Sequence, residues 1–276
     1  MTPSPADRKP LRVAAAQAES VPGDVAANVA SAVSLIGAVA GRGARVVVLP
    51  ELFLTGYDPA SWSESPIGVD DSRLQALAEA ARENVVVVVA GAAVRRSESV
   101  RTLSLLVVDE TGDLRVAYDK QHLFDVEREF FTAGDNGASI VVDGWELGLG
   151  ICYDGCFPAH ATAAAVDGAM AYLCPSAYYT GSEHRRDLYY AARALDNGIY
   201  VVFSGLAGRC GEHHFNGGSA IFDPEGQPLE RLAGEAPGFV VADLDATVVA
   251  QVQQANPLLR DRLVSLGMRQ RHVVGV

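Results

Sequence analysis

Three side chains of this 276-residue chain together supply a nucleophile, a base and a cation, and each stands where an apolar run stops. Glu51 ends "VVVLPE", Lys120 ends "VAYDK" and Cys152 ends "LGLGIC". Residues at strand ends reach a ligand while the strand behind them stays rigid. A free thiol, with a pKa of about 8.5, needs a base or a positive neighbour to attack at neutral pH. A carboxylate whose pKa is raised by burial can take that proton and return it to a leaving amine. Lysine can hold the resulting oxyanion, because its ammonium is a compact point charge on a flexible stem, whereas arginine is a broad planar fork. Among the 22 basic residues only Lys9 and Lys120 are lysines, and Lys9 lies in the polar stretch "MTPSPADRKP". A glycine-spaced strand running into a cysteine and then a helix also reads as a nucleophile elbow, with helix-terminal N–H groups beside the thiol.

Positioning these groups requires strands in a particular order. Residues 1–10 read as a disordered leader, and "LRVAAAQ" as the first strand. Asp24 caps a helix in which Val25, Val29, Val33 and Ile36 recur at helical spacing, and "RVVVLP" follows as a strand buried on both faces. A helix over about 72–83 leads to "VVVVVAGAAV" and "VRTLSLLVVD", and the turn "DETGD" leads to "LRVAYDK". "SIVVD" and "WELGLGI" read as strands, Pro158 opens a helix, and "AMAYLCP", "EHRRDLYYAARALDN" and "GIYVVFSGL" read as strand, helix and strand. Hairpin strands close the chain in "GGSAIF", "QPLERL" and "GFVVADLD", with "GEHHFN" as a loop before them. Two βαβα halves around a meander predict an α+β layered sandwich in one domain over 11–276.

Composition narrows the function. A formal charge of -12 argues against nucleic acid or a polybasic membrane patch as partner. No run reaches the roughly 18 apolar residues of a membrane span. Four cysteines without a signal-peptide pattern point to the reducing cytoplasm rather than a disulfide scaffold. "GLGIC" lacks the full glycine pattern of a dinucleotide site.

"LPELFLTGY", "YDKQHLF" and "GICYDGCFP", in that order, resemble the three catalytic motifs of the nitrilase superfamily, the carbon-nitrogen hydrolases. "AAAQ", "ARALDN" and "GGSAIFDPEG" extend the similarity over roughly 11–245. The resemblance implies a four-layer α-β-β-α sandwich, usually as a homodimer or higher homo-oligomer, with the tail from about 255 to 276 packed on a partner. It implies no metal or organic cofactor and an amidase acting on a small linear, ω-amide-like carboxamide. Cys152 is then the nucleophile, Glu51 the general base, and Lys120 with the Tyr153 N–H the oxyanion site. A second glutamate is expected at Glu127, with Glu129 as the alternative. An N-carbamoyl-amine hydrolase or a nitrilase remains open on the same triad.

Other residues have plainer alternatives. Many relatives have tryptophan where this chain has Arg186, which could pair with a substrate carboxylate or sit solvated on a helix face. Where relatives carry a glutamate after the cysteine motif, this chain has Ala159. Tyr57, Phe124, Tyr153, Tyr178 and Tyr179 either wall the pocket or fill core; Tyr57, Tyr153, Tyr178 and Arg186 are the expected substrate contacts. His122 sets up a Cys-His hydrolase as the mechanistic rival, against which no aspartate or asparagine partner stands out. Cys156 raises a redox reading without the usual C-x-x-C spacing. A non-catalytic protein of the same fold is the rival of a different class.

Overall fold

The valine runs become strands because both of their faces are covered. The computed structural model describes residues 8–64, 66–265 and 274–275. The first half of the chain runs through β1 (Leu11–Gln17), α1 (Val25–Ala40), β2 (Val46–Val48), α2 (Pro59–Glu64) and α3 (Gln75–Asn84). It continues through β3 (Val87–Arg95), β4 (Arg101–Val108), β5 (Leu114–Asp119) and α4 (Glu127–Phe130). The second half comprises β6 (Ser139–Val142), β7 (Trp145–Leu149), α5 (Tyr153–Cys156), α6 (Pro158–Val166), β8 (Ala171–Ser176), α7 (Glu183–Asn197) and β9 (Tyr200–Gly205). There follow β10 (Ala207–Cys210), β11 (His213–Asn216), β12 (Ala220–Phe222), β13 (Pro228–Arg231), β14 (Gly238–Leu244), α8 (Ala246–Ala255) and α9 (Leu258–Asp261).

One sheet has the order β14-β1-β2-β3-β4-β5 and the other β13-β12-β9-β8-β7-β6. In each, three parallel strands (β1, β2, β3 and β7, β8, β9) are flanked by antiparallel ones. The two sheets meet where β1 lies against β9. Small residues allow the approach, and polar groups stitch it: Ser204 Oγ donates to the Ala16 carbonyl at 2.5 Å, and buried Gln17 accepts the Ser219 N–H at 2.9 Å. Helices α1 and α3 pair on the outer face of the first sheet, and α6 and α7 cover the second. The result is the expected α-β-β-α sandwich. The central strands are apolar along nearly their whole length because each faces the other sheet on one side and a helix on the other.

Local signals act as the residue types suggest. Asp24 accepts the Ala27 N–H at 3.0 Å, a cap worth about 1 kcal/mol. The helix expected over 72–83 divides into a 3-10 turn at Ser72–Leu74 and α3.

Several short elements depart from the sequence expectation, among them α2, α4 and β10, for which none was expected. "GEHHFN" forms the strand β11, paired with β10, rather than a loop. Helix α8, capped by Asp245, lies where only a strand end and tail were expected. Helix α9 rests on α6 and α7 of its own chain, and the rest of the expected partner-packing tail from 266 on lies, apart from 274–275, outside the described residues. Of the expected leader, residues 1–7 also lie outside them, while the Lys9 carbonyl accepts the Trp145 indole N–H at 3.0 Å.

Candidate active site

Each of the three strand ends carries its side chain into one buried cluster. After β2 the chain turns at Glu51 and Leu52, the latter at φ 50°. Neighbouring β3 accommodates this turn with Gly91, whose missing Cβ would come within 2.4 Å of the Leu52 nitrogen and 2.8 Å of the Glu51 Cα. At the end of β5, Lys120 is held by its N–H to the Leu103 carbonyl at 2.8 Å and by its own carbonyl, which accepts from Gly134 at 2.9 Å. Lys120 Nζ donates to Glu51 Oε1 at 2.6 Å and to Glu127 Oε2 and Oε1 at 2.7 and 2.9 Å. All three ammonium protons are thereby used. Glu127 is further fixed by the Tyr57 hydroxyl at 2.6 Å and the Phe124 N–H at 2.8 Å. Glu129, the alternative, is exposed.

Cys152 sits on the turn between β7 and α5 at φ 45° and ψ -96°, a conformation unusual for a side-chain-bearing residue. The surrounding bonds impose it. The Cys152 N–H donates to the Pro175 carbonyl at 2.8 Å, and its carbonyl accepts from the Tyr190 hydroxyl at 3.2 Å. Two residues on, the fully buried Asp154 carboxylate accepts the Ile151 N–H at 3.0 Å, the Tyr118 hydroxyl at 2.8 Å, and the His122 N–H and Nδ1 at 2.9 and 2.8 Å. This carboxylate ties the segment bearing Lys120 to the elbow bearing Cys152. Tyr153 opens α5, so its N–H is among those a helix leaves without an intrahelical acceptor.

Burial governs the electrostatics. Burial and the neighbouring Glu127 push the Glu51 carboxyl up to about 7, against the pull of Lys120. Burial also opposes the Lys120 ammonium, but Glu127 and Glu51 outweigh it and hold its pKa well above the ordinary lysine value. The Cys152 thiol is pushed well up by burial and by Glu51, so it rests protonated. Glu51 Oε2 has no partner of normal hydrogen-bond geometry, although the Cys152 thiol lies close enough to lower the Glu51 pKa. That oxygen is the natural receiver of the thiol proton. The cluster therefore holds a neutral thiol, a base poised near neutrality and a permanent cation.

Cys152 opens into a cavity of about 230 Å³, walled by Tyr57, Phe124, Tyr153, Tyr178 and Tyr179 and rimmed by Thr180, Arg185 and Tyr189. Three of the four expected substrate contacts, Tyr57, Tyr153 and Tyr178, line it. Arg186 does not: it is buried, with its Nη1 donating to Asn216 Oδ1 at 2.7 Å and the Gly217 carbonyl at 2.8 Å, and its Nε to Asp187 at 2.8 Å. One residue along a helix turns a side chain by about 100°, so adjacent Arg185, exposed, is the arginine at the cavity rim. No residue type distinguishes the two in sequence; only the helix phase does.

His122 does have an aspartate partner, Asp154, which the sequence reading missed although it stands in "CYDG". His122 lines a different cavity from Cys152, which removes the geometric basis for a Cys-His hydrolase. Cys156 lines the thiol cavity and meets the Tyr178 hydroxyl at 3.4 Å. His213 packs its ring at a tilt against Tyr179, and His214 pairs with Glu235 at 2.8 Å.

The profile of the carbon-nitrogen hydrolase family matches residues 12–254. A protein described as a hydrolase in the pqqF 5' region of Pseudomonas protegens is 31% identical over 261 residues, 92% of this chain and 90% of its own. Omega-amidase NIT2 of Mus musculus is 29% identical, with 87% and 90% covered, and 2-oxoglutaramate amidase of Bacillus subtilis is 30% identical, with 79% and 85% covered. Among solved structures, an amidase from Nesterenkonia sp. superposes with a TM-score of 0.81 at 28% identity, covering 91% of this chain and 93% of that one. A mutant of that amidase carries the acetamide moiety of fluoroacetamide, added covalently at its active-site cysteine. No helix among the described residues is long and apolar enough to cross a membrane.

Proposed function

The chain belongs to the carbon-nitrogen hydrolase family as an amidase of the nitrilase superfamily, and we propose that it cleaves the ω-amide of a small linear carboxylate through a thioester on Cys152. The observation that carries this reading is the buried Lys120 bridging Glu51 and Glu127 beneath a cavity into which Cys152 opens.

In this reading Cys152 Sγ attacks the carboxamide carbon and its proton passes to Glu51 Oε2. As Glu51 loses its charge its hold on Lys120 slackens, and one ammonium N–H turns to the oxyanion alongside the Tyr153 N–H. The C–N bond breaks as Glu51 returns the proton to the departing nitrogen, which leaves as ammonia. Water then adds to the thioester and gives a proton to Glu51; the C–S bond breaks, releasing the carboxylic acid and restoring the thiol. Glu127, held by Tyr57 and the Phe124 N–H, keeps Lys120 charged and in place and faces the amide nitrogen.

Arg185 at the rim supports a carboxylate at the far end of the substrate, since it makes no ion pair among the described residues and a guanidinium matches a carboxylate bidentately. The tyrosine walls suit an extended chain between the two ends, and a free thiol nucleophile suits the reducing cytoplasm inferred from the cysteines. Ammonia release from a panel of amides, carbamoyl compounds and nitriles tests the reading. A monoamide bearing a free ω-carboxylate is expected to give the highest kcat/KM, and Arg185→Met to raise its KM up to about fivefold while sparing a neutral amide, the loss of a surface-rim ion pair of about 1 kcal/mol. Preference for a nitrile or a carbamoyl compound would refute it.

A further inference from the structure

Glu51 and Glu127 hold the same ammonium, yet their oxygens are filled unequally. A carboxylate has about four acceptor positions, two on each oxygen. On Glu127 all of them are taken: Oε1 accepts the Tyr57 hydroxyl at 2.6 Å and Lys120 Nζ at 2.9 Å, and Oε2 accepts Lys120 Nζ at 2.7 Å and the Phe124 N–H at 2.8 Å. Among the described residues Glu51 accepts from Lys120 Nζ alone, on Oε1, and its Oε2 is open towards the thiol. A proton therefore has a place on Glu51 and none on Glu127 unless a donor leaves. Resting on the reading of Glu51 as the base, we propose that Tyr57 is a positioning residue whose hydroxyl closes the last acceptor position of Glu127, so that the proton leaving Cys152 is held by Glu51 alone. Of the three donors to Glu127, Phe124 contributes backbone and Lys120 the cation that must turn to the oxyanion. Tyr57 is the side chain dedicated to this carboxylate.

Packing aims the hydroxyl. The Tyr57 N–H donates to Cys210 Sγ at 3.2 Å, and its ring meets Trp62, Phe215 and Tyr179 edge-on at centroid separations of 5.3, 5.4 and 6.2 Å. Trp62 in turn meets Phe130 of α4 at 5.5 Å, so the ring and the helix bearing Glu127 share one support. The β10–β11 hairpin, which carries Cys210 and Phe215, thereby bears on the acid-base chemistry from outside both six-stranded sheets. Burial and the neighbouring Glu127 and Glu51 hold the Tyr57 hydroxyl well above its ordinary pKa, so it stays a donor around neutrality. The other charged or titratable groups facing the pair are Lys120, Glu51, Cys152 and Tyr179, with His213 against Tyr179 one ring further out. The rival account makes Tyr57 a wall of the thiol cavity, which it also lines, and nothing more.

Alkylation of Cys152 by iodoacetamide, followed by mass spectrometry at residue 152, separates the two accounts without reference to any amide substrate. In the full-length parent the rate should fall as pH drops through about 7, where Glu51 takes up a proton. Tyr57→Phe keeps the ring and opens one position on Glu127, giving that proton a second place. Its acid limb should move up by about 0.3 to 1 pH unit, from the factor of two for two equal proton sites to the roughly tenfold value of one bond to a charged group. Glu127→Gln removes the carboxylate that helps to push Glu51 up, so its limb should move down. Adding Tyr57→Phe to Glu127→Gln should move the limb no further, because the hydroxyl acts through Glu127. Circular dichroism checks that each variant has folded. An unmoved or lowered limb in folded Tyr57→Phe, or an upward shift that persists in the Glu127→Gln background, would overturn the proposal. Failure of the ω-amide reading would show in the amide panel alone and leave these alkylation profiles as they are.

Discussion

Replacing Lys120 by arginine retains the charge and removes its compactness, so it separates the two. The ammonium occupies a fully buried position where one nitrogen makes three bonds of 2.6–2.9 Å to two carboxylates. A guanidinium has the donors to reach both, but as a plane larger than the space occupied by one nitrogen. Accommodating it is an overpacking problem of about 1–3 kcal/mol, which lowers the melting temperature by several degrees at about 2–4 °C per kcal/mol for a chain of this size class. The kinetic cost is larger. A guanidinium locked between Glu51 and Glu127 cannot turn one N–H to the oxyanion, and loss of one oxyanion donor costs about 10²–10³ in kcat. Ammonia release at saturating substrate gives kcat, thermal unfolding gives the stability change, and iodoacetamide labelling of Cys152 reports whether the thiol is still placed. The expected outcome is a folded protein with kcat at least a hundredfold down and KM little changed. An arginine variant within about tenfold of the parent rate would refute the argument that a movable point charge is required.

Cys152→Ala is expected to leave the fold intact and abolish turnover, and mass spectrometry of alkylated parent protein should place the fastest-reacting thiol at residue 152 rather than at buried Cys174 or Cys210. Because the Glu51 carboxyl is pushed up to about 7 and must be ionised to accept the thiol proton, kcat/KM should fall as pH drops through about 7. A profile flat between pH 5 and pH 8 would refute the raised Glu51 pKa, since an unperturbed glutamate titrates at about 4.3 and would be ionised over that whole range. Gly91→Ala should cost about 1–3 kcal/mol in denaturant unfolding and lower kcat as well, because the added Cβ meets the backbone of the Glu51 turn at 2.4–2.8 Å rather than a movable side chain. Loss of stability without loss of kcat would mean that the strand moves and the turn does not.

The sequence alone determined the order and nearly all of the strands and long helices, because buried parallel strands are written as unbroken valine and alanine runs, and α1 declares its start with Asp24. It also determined Glu51, Lys120 and Cys152, since each is the one chemically suited residue at the end of such a run, and the lysine is conspicuous among arginines. The second glutamate was narrowed to two residues. Only the folded chain separates them, because the turn of α4 buries Glu127 against Lys120 and leaves Glu129 in solvent. Arg185 and Arg186 are equivalent as letters, and their roles follow from helix phase against Asn216 and Gly217. The short hairpin of β10 and β11 has little local signal, being stabilised by its pairing and by Phe215 packed against Tyr57 and Tyr179. The elevated Glu51 pKa and the Tyr57–Glu127 bond belong wholly to tertiary structure. Both require residues distant in sequence to be brought together and sealed from water, and neither burial nor proximity is a property of any one position in the chain.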